Sequence, residues 1–186
     1  MDKKIAIVIV DYQYDFADPK GGLYVNEGEK LKDQIQGFLN NVKDKATIVA
    51  SKDWHPVNHS SFKEFGGQWN PHCIANTKGA ELYFDSSFVD LIINKGTHVD
   101  KEEYSCIKND DIKEFFNHFT DVFVLGLAKD FCVKNTLLGI TAENVYLVDD
   151  LSKSVFPNKD TELTLSLKEN NIKIINKKEA EEIICK

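Results

Sequence analysis

Six short apolar segments, separated by amphipathic stretches, constrain the fold of this chain more than any other feature. They are rich in β-branched residues and occupy residues 4–10, 46–51, 91–94, 122–126, 145–148 and 172–175. Continuous apolar runs of this length are typical of strands that are buried on both faces, and such strands occur mainly in parallel sheets. The sequence therefore predicts a sheet that is covered on both sides.

The stretches between these strands have helical spacing. The clearest stretch spans residues 29–42, where the apolar positions are Leu31, Ile35, Phe38, Leu39 and Val42. Similar spacing occurs at residues 112–119, 131–140, 160–167 and 178–184. Strands that alternate with helices favour βαβ units. We predict an α/β fold in which residues 1–186 form one doubly wound domain, with a mostly parallel sheet of about six strands flanked by helices.

Composition and charge narrow the class of partner. The 186 residues are 42% hydrophobic and 28% charged, which is typical of a globular chain rather than a disordered one. The formal net charge of −7 argues against a nucleic-acid or anionic-membrane partner and favours a small molecule. The first apolar run is too short to span a membrane and has no small-residue cleavage site, so we expect a cytoplasmic protein. The sequence leaves a homo-oligomeric state open.

Chemically active side chains follow four consecutive strands. Asp11 follows the first strand, Asp53 and His55 the second, Lys95 the third and Cys132 the fourth. Ligands of open α/β sheets bind beyond the carboxyl ends of the strands. We therefore expect these side chains to share one edge of the sheet.

Cys132 is the candidate nucleophile of this group. An apolar strand runs into Gly126 and a tight turn, and the pattern then places Cys132 in a first helical turn, where backbone N–H groups favour a thiolate. Asp11 could accept the thiol proton, and Lys95 could hold that carboxylate. The alternative is a buried cysteine that only packs beneath the helix.

A second group has the composition of a metal site. Asp53, His55 and His72 lie in a long, poorly periodic segment that also contains His59. Two imidazoles and one carboxylate suit a divalent transition metal, with zinc the first expectation and iron or manganese the alternatives. The competing interpretation is a polar loop with incidental histidines.

Five segments resemble, in order along the chain, the nicotinamidase (pyrazinamidase) family of the isochorismatase-like cysteine hydrolases. They are VDYQYDF at 10–16, KDWHPVNHSSF at 52–62, GGQWNPHCIANTKGAEL at 66–82, INKGT at 93–97 and GLAKDFCV at 126–133. The resemblance implies hydrolysis of nicotinamide to nicotinate and ammonia in NAD salvage. It further implies that Asp11 is the general base, that Lys95 orients it, and that Cys132 forms a thioester.

The resemblance also implies the parts of a substrate site. Asp53, His55 and His72 would hold the metal, to which the pyridine nitrogen would bind. The backbone N–H groups of Ala128 and Cys132 would form an oxyanion hole. The ring pocket would have as its walls Phe16, Trp69 and Tyr104.

Expectations also follow for the peptide bond before Lys129, for Lys129 itself and for Cys106. The family often has a cis bond at the position before Lys129 in this chain. Lys129 itself stands where the family usually has a small or hydroxylated residue, and Cys106 stands where glycine or alanine is more usual. Lys129 could change the charge near the nucleophile, and Cys106 could change the pocket.

Two other functions remain open at this point. One is another isochorismatase-like amidase that uses Asp11, Lys95 and Cys132 on a different small amide, without the metal set. The other is a non-catalytic binding or redox protein that uses the cavity or Cys132 alone. Metal content separates the first from the predicted activity, and ammonia release from nicotinamide separates the second.

Overall fold

The computed structural model describes residues 4–186 and contains a six-stranded, all-parallel sheet of order β3-β2-β1-β4-β5-β6. The strands are β1 Ile5–Val10, β2 Thr47–Asp53, β3 Leu91–Lys95, β4 Asp121–Leu127, β5 Asn144–Lys153 and β6 Lys173–Ile175. The α-helices are α1 Tyr14–Ala17, α2 Lys32–Val42, α3 Asp110–Asn117, α4 Lys134–Gly139, α5 Asp160–Glu169 and α6 Lys177–Ile184. The predicted fold class is confirmed.

The central strand shows why the apolar runs are continuous. Every residue of β1 is buried. Ile5, Ile7 and Ile9 belong to one core cluster, and the alternate residues Ala6, Val8 and Val10 belong to the other. Successive strand residues point to opposite faces. Every side chain of a strand that is covered on both sides is therefore buried, which favours apolar residues at all positions. Helices α2 and α6 contribute to the first cluster, and α3, α4 and α5 contribute to the second.

The element boundaries differ from the predictions mainly where polar residues extend a strand. Asp53 and Lys95 were expected to follow their strands, but each is the last residue of its strand and they are paired in register. Strand β5 likewise continues to Lys153, five residues beyond the predicted end at Val148. A ladder of backbone hydrogen bonds places no demand on side-chain polarity, so the apolar pattern stops before the strand does.

Two helix predictions also need correction. The helix expected from residue 29 begins with a 3₁₀ turn at Gly28–Leu31 before α2 starts. The helix expected from residue 131 is a turn with π-helical hydrogen bonding at Lys129–Val133, followed by α4. The short helix α1 was not predicted, because four residues are too few to show a period. None of the helices within residues 4–186 is long and apolar enough to cross a membrane.

The strand order decides where chemistry gathers. The chain adds β2 and β3 on one side of β1 and then returns to add β4 on the other side. The carboxyl ends of β3, β2, β1 and β4 are therefore neighbours, although their sequences are far apart. The reversal between β1 and β4 is the kind of switch point at which doubly wound sheets bind ligands.

Gly126 provides a test of this packing. Its φ is +118°, and a Cβ at this position would lie 2.2 Å from the carbonyl oxygen of Val10. We expect Gly126→Ala to lower the free energy of unfolding by at least about 2 kcal/mol, because overpacking and a positive φ both oppose a side chain here. Gly37 in α2 has open space around it, so Gly37→Ala should be neutral or stabilising by up to about 1 kcal/mol. Urea denaturation of both variants is the measurement, and equal midpoints would contradict this account of Gly126.

Candidate active site and metal centre

A buried ammonium lies at the centre of the site. The side chain of Lys95 is fully buried, and its Nζ lies 2.8 Å from Asp11 Oδ2 and 2.5 Å from Asp53 Oδ1. The same Nζ donates to the carbonyl oxygen of Glu103 at 3.1 Å and lies 3.5 Å from the Sγ of Cys132. The structure thus brings together the three candidate catalytic residues and links them to one candidate metal ligand.

Asp11 is held beside the sulfur. Its backbone is in the left-handed region at φ +45°, and its Oδ1 accepts a hydrogen bond from Ser51 Oγ at 2.6 Å. A carboxylate oxygen of Asp11 lies within 4.8 Å of the Sγ of Cys132. Burial raises the pKa of Asp11 above its usual value, against the opposing effect of Lys95. This carboxyl group is consequently able to hold a proton next to the thiol.

The pKa of the Cys132 thiol differs from what the sequence predicts. Burial raises the pKa of its thiol well above the usual value, and the opposing effect of Lys95 does not reverse this. Burial thus disfavours the thiolate, whereas the position of Cys132 in the turn after β4 was expected to favour it. Attack by this sulfur requires a base close at hand, and Asp11 is in that place.

The turn that carries Cys132 is shaped by its backbone. The carbonyl oxygen of Ala128 accepts hydrogen bonds from the N–H groups of Phe131 at 3.0 Å and Val133 at 3.1 Å. The structure has a cis peptide bond between Leu127 and Ala128. The expectation of a cis bond before Lys129 was therefore wrong by one residue.

Three buried side chains form the candidate metal centre. One ligand atom from each of Asp53, His55 and His72 lies within 4.8 Å of the other two. The Nδ1 atoms of the histidines face the carbonyl oxygens of Gly96 at 3.0 Å and Asn70 at 2.7 Å. These contacts leave each Nε2 with a free lone pair, which is the arrangement that metal-binding histidines require.

The state of these groups fits a divalent transition metal. Within residues 4–186, the buried Nε2 of His55 has no hydrogen-bond partner, so a ligand would satisfy it. Burial opposes ionisation of Asp53, but Lys95 and His55 together hold the pKa of that carboxyl well below its usual value. Burial lowers the pKa of His72, whereas Asp53 raises the pKa of His55 against the effect of burial, so a bound ion would take the place of a proton at His55. Two imidazoles and one carboxylate would then face that ion.

His59, whose role the sequence left open, is not available to this centre. Its ring stacks near that of His55, with centroids 4.2 Å apart. Its Nδ1 contacts Ser61 Oγ at 2.7 Å, and its Nε2 contacts the carbonyl oxygen of Lys101 at 3.1 Å. Both nitrogens are thus occupied by protein atoms, and His59 supports the ring beside it.

A small cavity opens onto the sulfur and the metal centre. Its walls include all four residues predicted to bind substrate, Phe16, Trp69, Tyr104 and Ala128. Trp69 Nε1 donates to the hydroxyl of Tyr104 at 3.1 Å, which braces two of these walls against each other. Asp53, His72 and Cys132 also line the cavity. Mostly apolar walls, several of them aromatic, around a few convergent polar groups suit a small flat ligand.

Sequence reasoning missed several residues of the site. The further cavity walls are Leu23, Val25, Glu102, Phe131 and Val155. Phe131 was the most visible of these, since it immediately precedes the candidate nucleophile. Gln13 was also missed: its amide exchanges two 2.8 Å hydrogen bonds with the backbone of Asp53. A polar residue two positions beyond the candidate base was a signal for it.

The two departures from the family pattern lie in separate surroundings. The Nζ of Lys129 lies 2.6 Å from Asp160 and 3.1 Å from Asp149, so two carboxylates balance its charge. Cys106 is buried, and burial raises the pKa of its thiol to about 12. Neither residue lines the cavity.

The chain matches known proteins over nearly its whole length. The isochorismatase domain family matches residues 5–179. The nicotinamidase of Acinetobacter baylyi is 32% identical over 184 residues, covering 82% of this chain and 83% of that protein. A crystal structure of the pyrazinamidase of Pyrococcus horikoshii in complex with zinc is 37% identical, with a TM-score of 0.85 over 93% of this chain and 99% of that chain. A crystal structure of PnC1 from L. infantum in complex with nicotinate is 31% identical, with a TM-score of 0.84 over 95% of this chain and 94% of that chain. The chain therefore belongs to the isochorismatase-domain family and, within it, to the nicotinamidases.

Proposed function

We propose that this protein hydrolyses nicotinamide to nicotinate and ammonia, with Cys132 as nucleophile and a metal ion beside the substrate ring. The observation that carries the proposal is the shared ammonium: Lys95 contacts Asp11 and Asp53 at once. A base for the sulfur and a ligand of the metal centre are thereby held on either side of one cation. The aromatic cavity lies over both.

The first half of the reaction forms a thioester. Asp11 takes the proton of the Cys132 thiol, and the sulfur attacks the carboxamide carbon. Lys95 keeps the carboxyl group of Asp11 directed at the sulfur and stabilises the negative charge that passes between them. The backbone N–H groups of Ala128 and Cys132 donate to the oxyanion. The C–N bond then breaks as Asp11 returns its proton to the nitrogen, which leaves as ammonia.

The second half consumes water. A water molecule attacks the thioester carbon while Asp11 accepts one of its protons. The C–S bond breaks, nicotinate leaves, and the proton on Asp11 restores the thiol of Cys132. The carboxyl proton of the product passes to ammonia, so the sum is nicotinamide and water to nicotinate and ammonium, with no net change in the protein.

The residues that would hold the metal are Asp53, His55 and His72. A bound ion would supply a Lewis-acid site for the pyridine nitrogen, which orients the ring in the cavity. We propose zinc, in keeping with the zinc complex of the Pyrococcus horikoshii pyrazinamidase. Iron and manganese accept the same donors, so elemental analysis of purified protein decides between them.

The proposed biological setting is NAD salvage in the cytoplasm.

Each of the two alternative functions leaves part of the candidate site unexplained. An amidase of the same fold that lacks a metal would not need two buried imidazoles facing a carboxylate. A binding protein would not need a buried ammonium between a base and a thiol, since buried charges are costly to maintain.

The role of Cys132 is tested by Cys132→Ala. We expect ammonia release from nicotinamide to be abolished, because no other group can form the thioester, while folding and metal content stay normal. Cys185, an exposed cysteine near the end of α6, is the matched control, and Cys185→Ala should keep wild-type turnover. Substantial activity in metal-loaded Cys132→Ala protein would refute the assignment.

The role of Asp11 is tested by Asp11→Asn, which keeps the shape of the side chain but cannot accept the thiol proton. We expect kcat to fall by at least about 10²-fold, the lower end of general acid–base contributions. Alkylation of Cys132 by iodoacetamide, followed against pH, gives a second readout that does not depend on substrate. A variant within a few-fold of the wild-type kcat would leave Asp11 with a structural role only.

The metal centre is tested by His55→Ala, with His118→Ala as the control at an exposed site. We expect His55→Ala to lose metal and turnover together, since two remaining ligands hold a divalent ion poorly. Cys132 should still react with iodoacetamide, because the metal positions the ring and the sulfur depends on Asp11. Retention of a full complement of metal by His55→Ala would contradict the assignment.

Benzamide tests the contact with the ring nitrogen. It has the carboxamide of nicotinamide but no atom that can bind a metal, so the wild-type protein should hydrolyse it much more slowly. Steady-state kinetics with both amides is the measurement. Equal kcat/KM values would exclude ring anchoring by the metal.

A further inference from the structure

Asp130 connects the turn that carries Cys132 to the segment after β5 by hydrogen bonds. The Oδ1 of Asp130 accepts a hydrogen bond from the N–H of Val155, and its Oδ2 accepts one from the N–H of Phe156, both at 2.9 Å. Two consecutive backbone donors need two acceptor atoms. A carboxylate provides both, whereas an asparagine amide would direct its NH₂ group at one of the donors.

Lys129 is connected to the same segment through Asp160. Its side chain is only 9% exposed, and its Nζ lies 2.6 Å from Asp160 Oδ2. The other oxygen of Asp160 accepts a 2.6 Å hydrogen bond from Ser154 Oγ. The ion pair and this hydrogen bond connect Lys129 to the residue that directly precedes Val155.

This segment after β5 forms part of the wall of the proposed substrate cavity. Val155 lines the cavity together with Cys132. The ring of Phe156 packs against that of Phe131, with centroids 6.1 Å apart, and Phe131 is itself a cavity wall. The distance between this wall and the sulfur therefore depends on residues 129 and 130, neither of which lines the cavity.

We propose that Asp130, assisted by Lys129, is a positioning residue for substrate binding that holds the Val155 wall at a fixed distance from Cys132. This inference rests on the proposed function, because nicotinamide is the ligand whose binding is measured. Asp130 acts through Val155 and Phe156 and touches none of the reacting atoms.

Asp130→Asn is the first test. We expect the KM for nicotinamide to rise about fivefold or more while kcat stays within about threefold, because a loosened wall weakens ground-state and transition-state binding alike. Asp90→Asn is the matched control, since Asp90 also accepts a backbone hydrogen bond, from Ile48, at the opposite end of the sheet. A KM equal to that of Asp90→Asn, or a fall in kcat at unchanged KM, would overturn the proposal.

A double-mutant cycle with Val155→Ala distinguishes positioning from general destabilisation. Val155→Ala removes the wall itself and should raise KM. In that background Asp130→Asn should change KM by less than about twofold, because the side chain that forms the positioned wall is gone and only the contact of Phe156 with Phe131 remains. Effects on KM that multiply independently would overturn the proposal.

Lys129→Met keeps the test decisive if Asp130→Asn does not fold. It preserves the aliphatic stem and removes the charge. We expect KM to rise about twofold or more at similar kcat, since one of the two connections to the segment after β5 is lost. An unchanged KM in folded Lys129→Met would count against positioning. Absence of ammonia release from nicotinamide by metal-loaded wild-type protein is a different outcome and would count against the proposed function itself.

Discussion

The interaction on which the rest of the site depends is the buried ammonium of Lys95 between Asp11 and Asp53. Each charge alone would cost several kcal/mol to bury, and the cost is offset because opposite charges lie within hydrogen-bond distance. Loss of Lys95 would leave two buried carboxyl groups near each other without this cation. The ammonium also connects the two parts of the candidate site, because it contacts the proposed base Asp11 and the proposed metal ligand Asp53 at the same time.

The sheet supplies the rigidity that this arrangement needs. Asp53 and Lys95 end adjacent strands in register, and Asp11 leaves the next strand in a left-handed conformation. Their polar side chains lie where the apolar core ends. Ser51 Oγ donates to the carboxylate of Asp11 in place of lost water, and the Gln13 amide satisfies the backbone N–H and C=O of Asp53. Catalytic groups mounted on strand ends are held more exactly than groups mounted on loops.

The loops supply shape and apolar surface. The cavity walls come from five separate connections, represented by Phe16, Trp69, Tyr104, Phe131 and Val155. A flat aromatic substrate would gain from these walls mainly by excluding water, whereas its reacting carboxamide would meet the few polar groups at the base. The contacts of Asp130 join one of these walls to the turn that carries Cys132, so the cavity wall and the sulfur are structurally connected.

The sequence by itself determined the class of fold, because doubly buried strands must be apolar throughout and helices must show a stripe. It also identified Asp11, Asp53 and Lys95, since a polar residue close after an apolar run is visible without coordinates, and it identified Cys132 from its place in the turn between a strand and a helix. Only the tertiary structure decided that these residues meet, because the order of strands in a sheet is not written in the local pattern. The sequence also did not show the raised pKa of Cys132, the exclusion of His59 from the candidate metal centre or the position of the cis bond before Ala128. Each depends on burial or on contacts between distant segments, which local residue pattern does not encode.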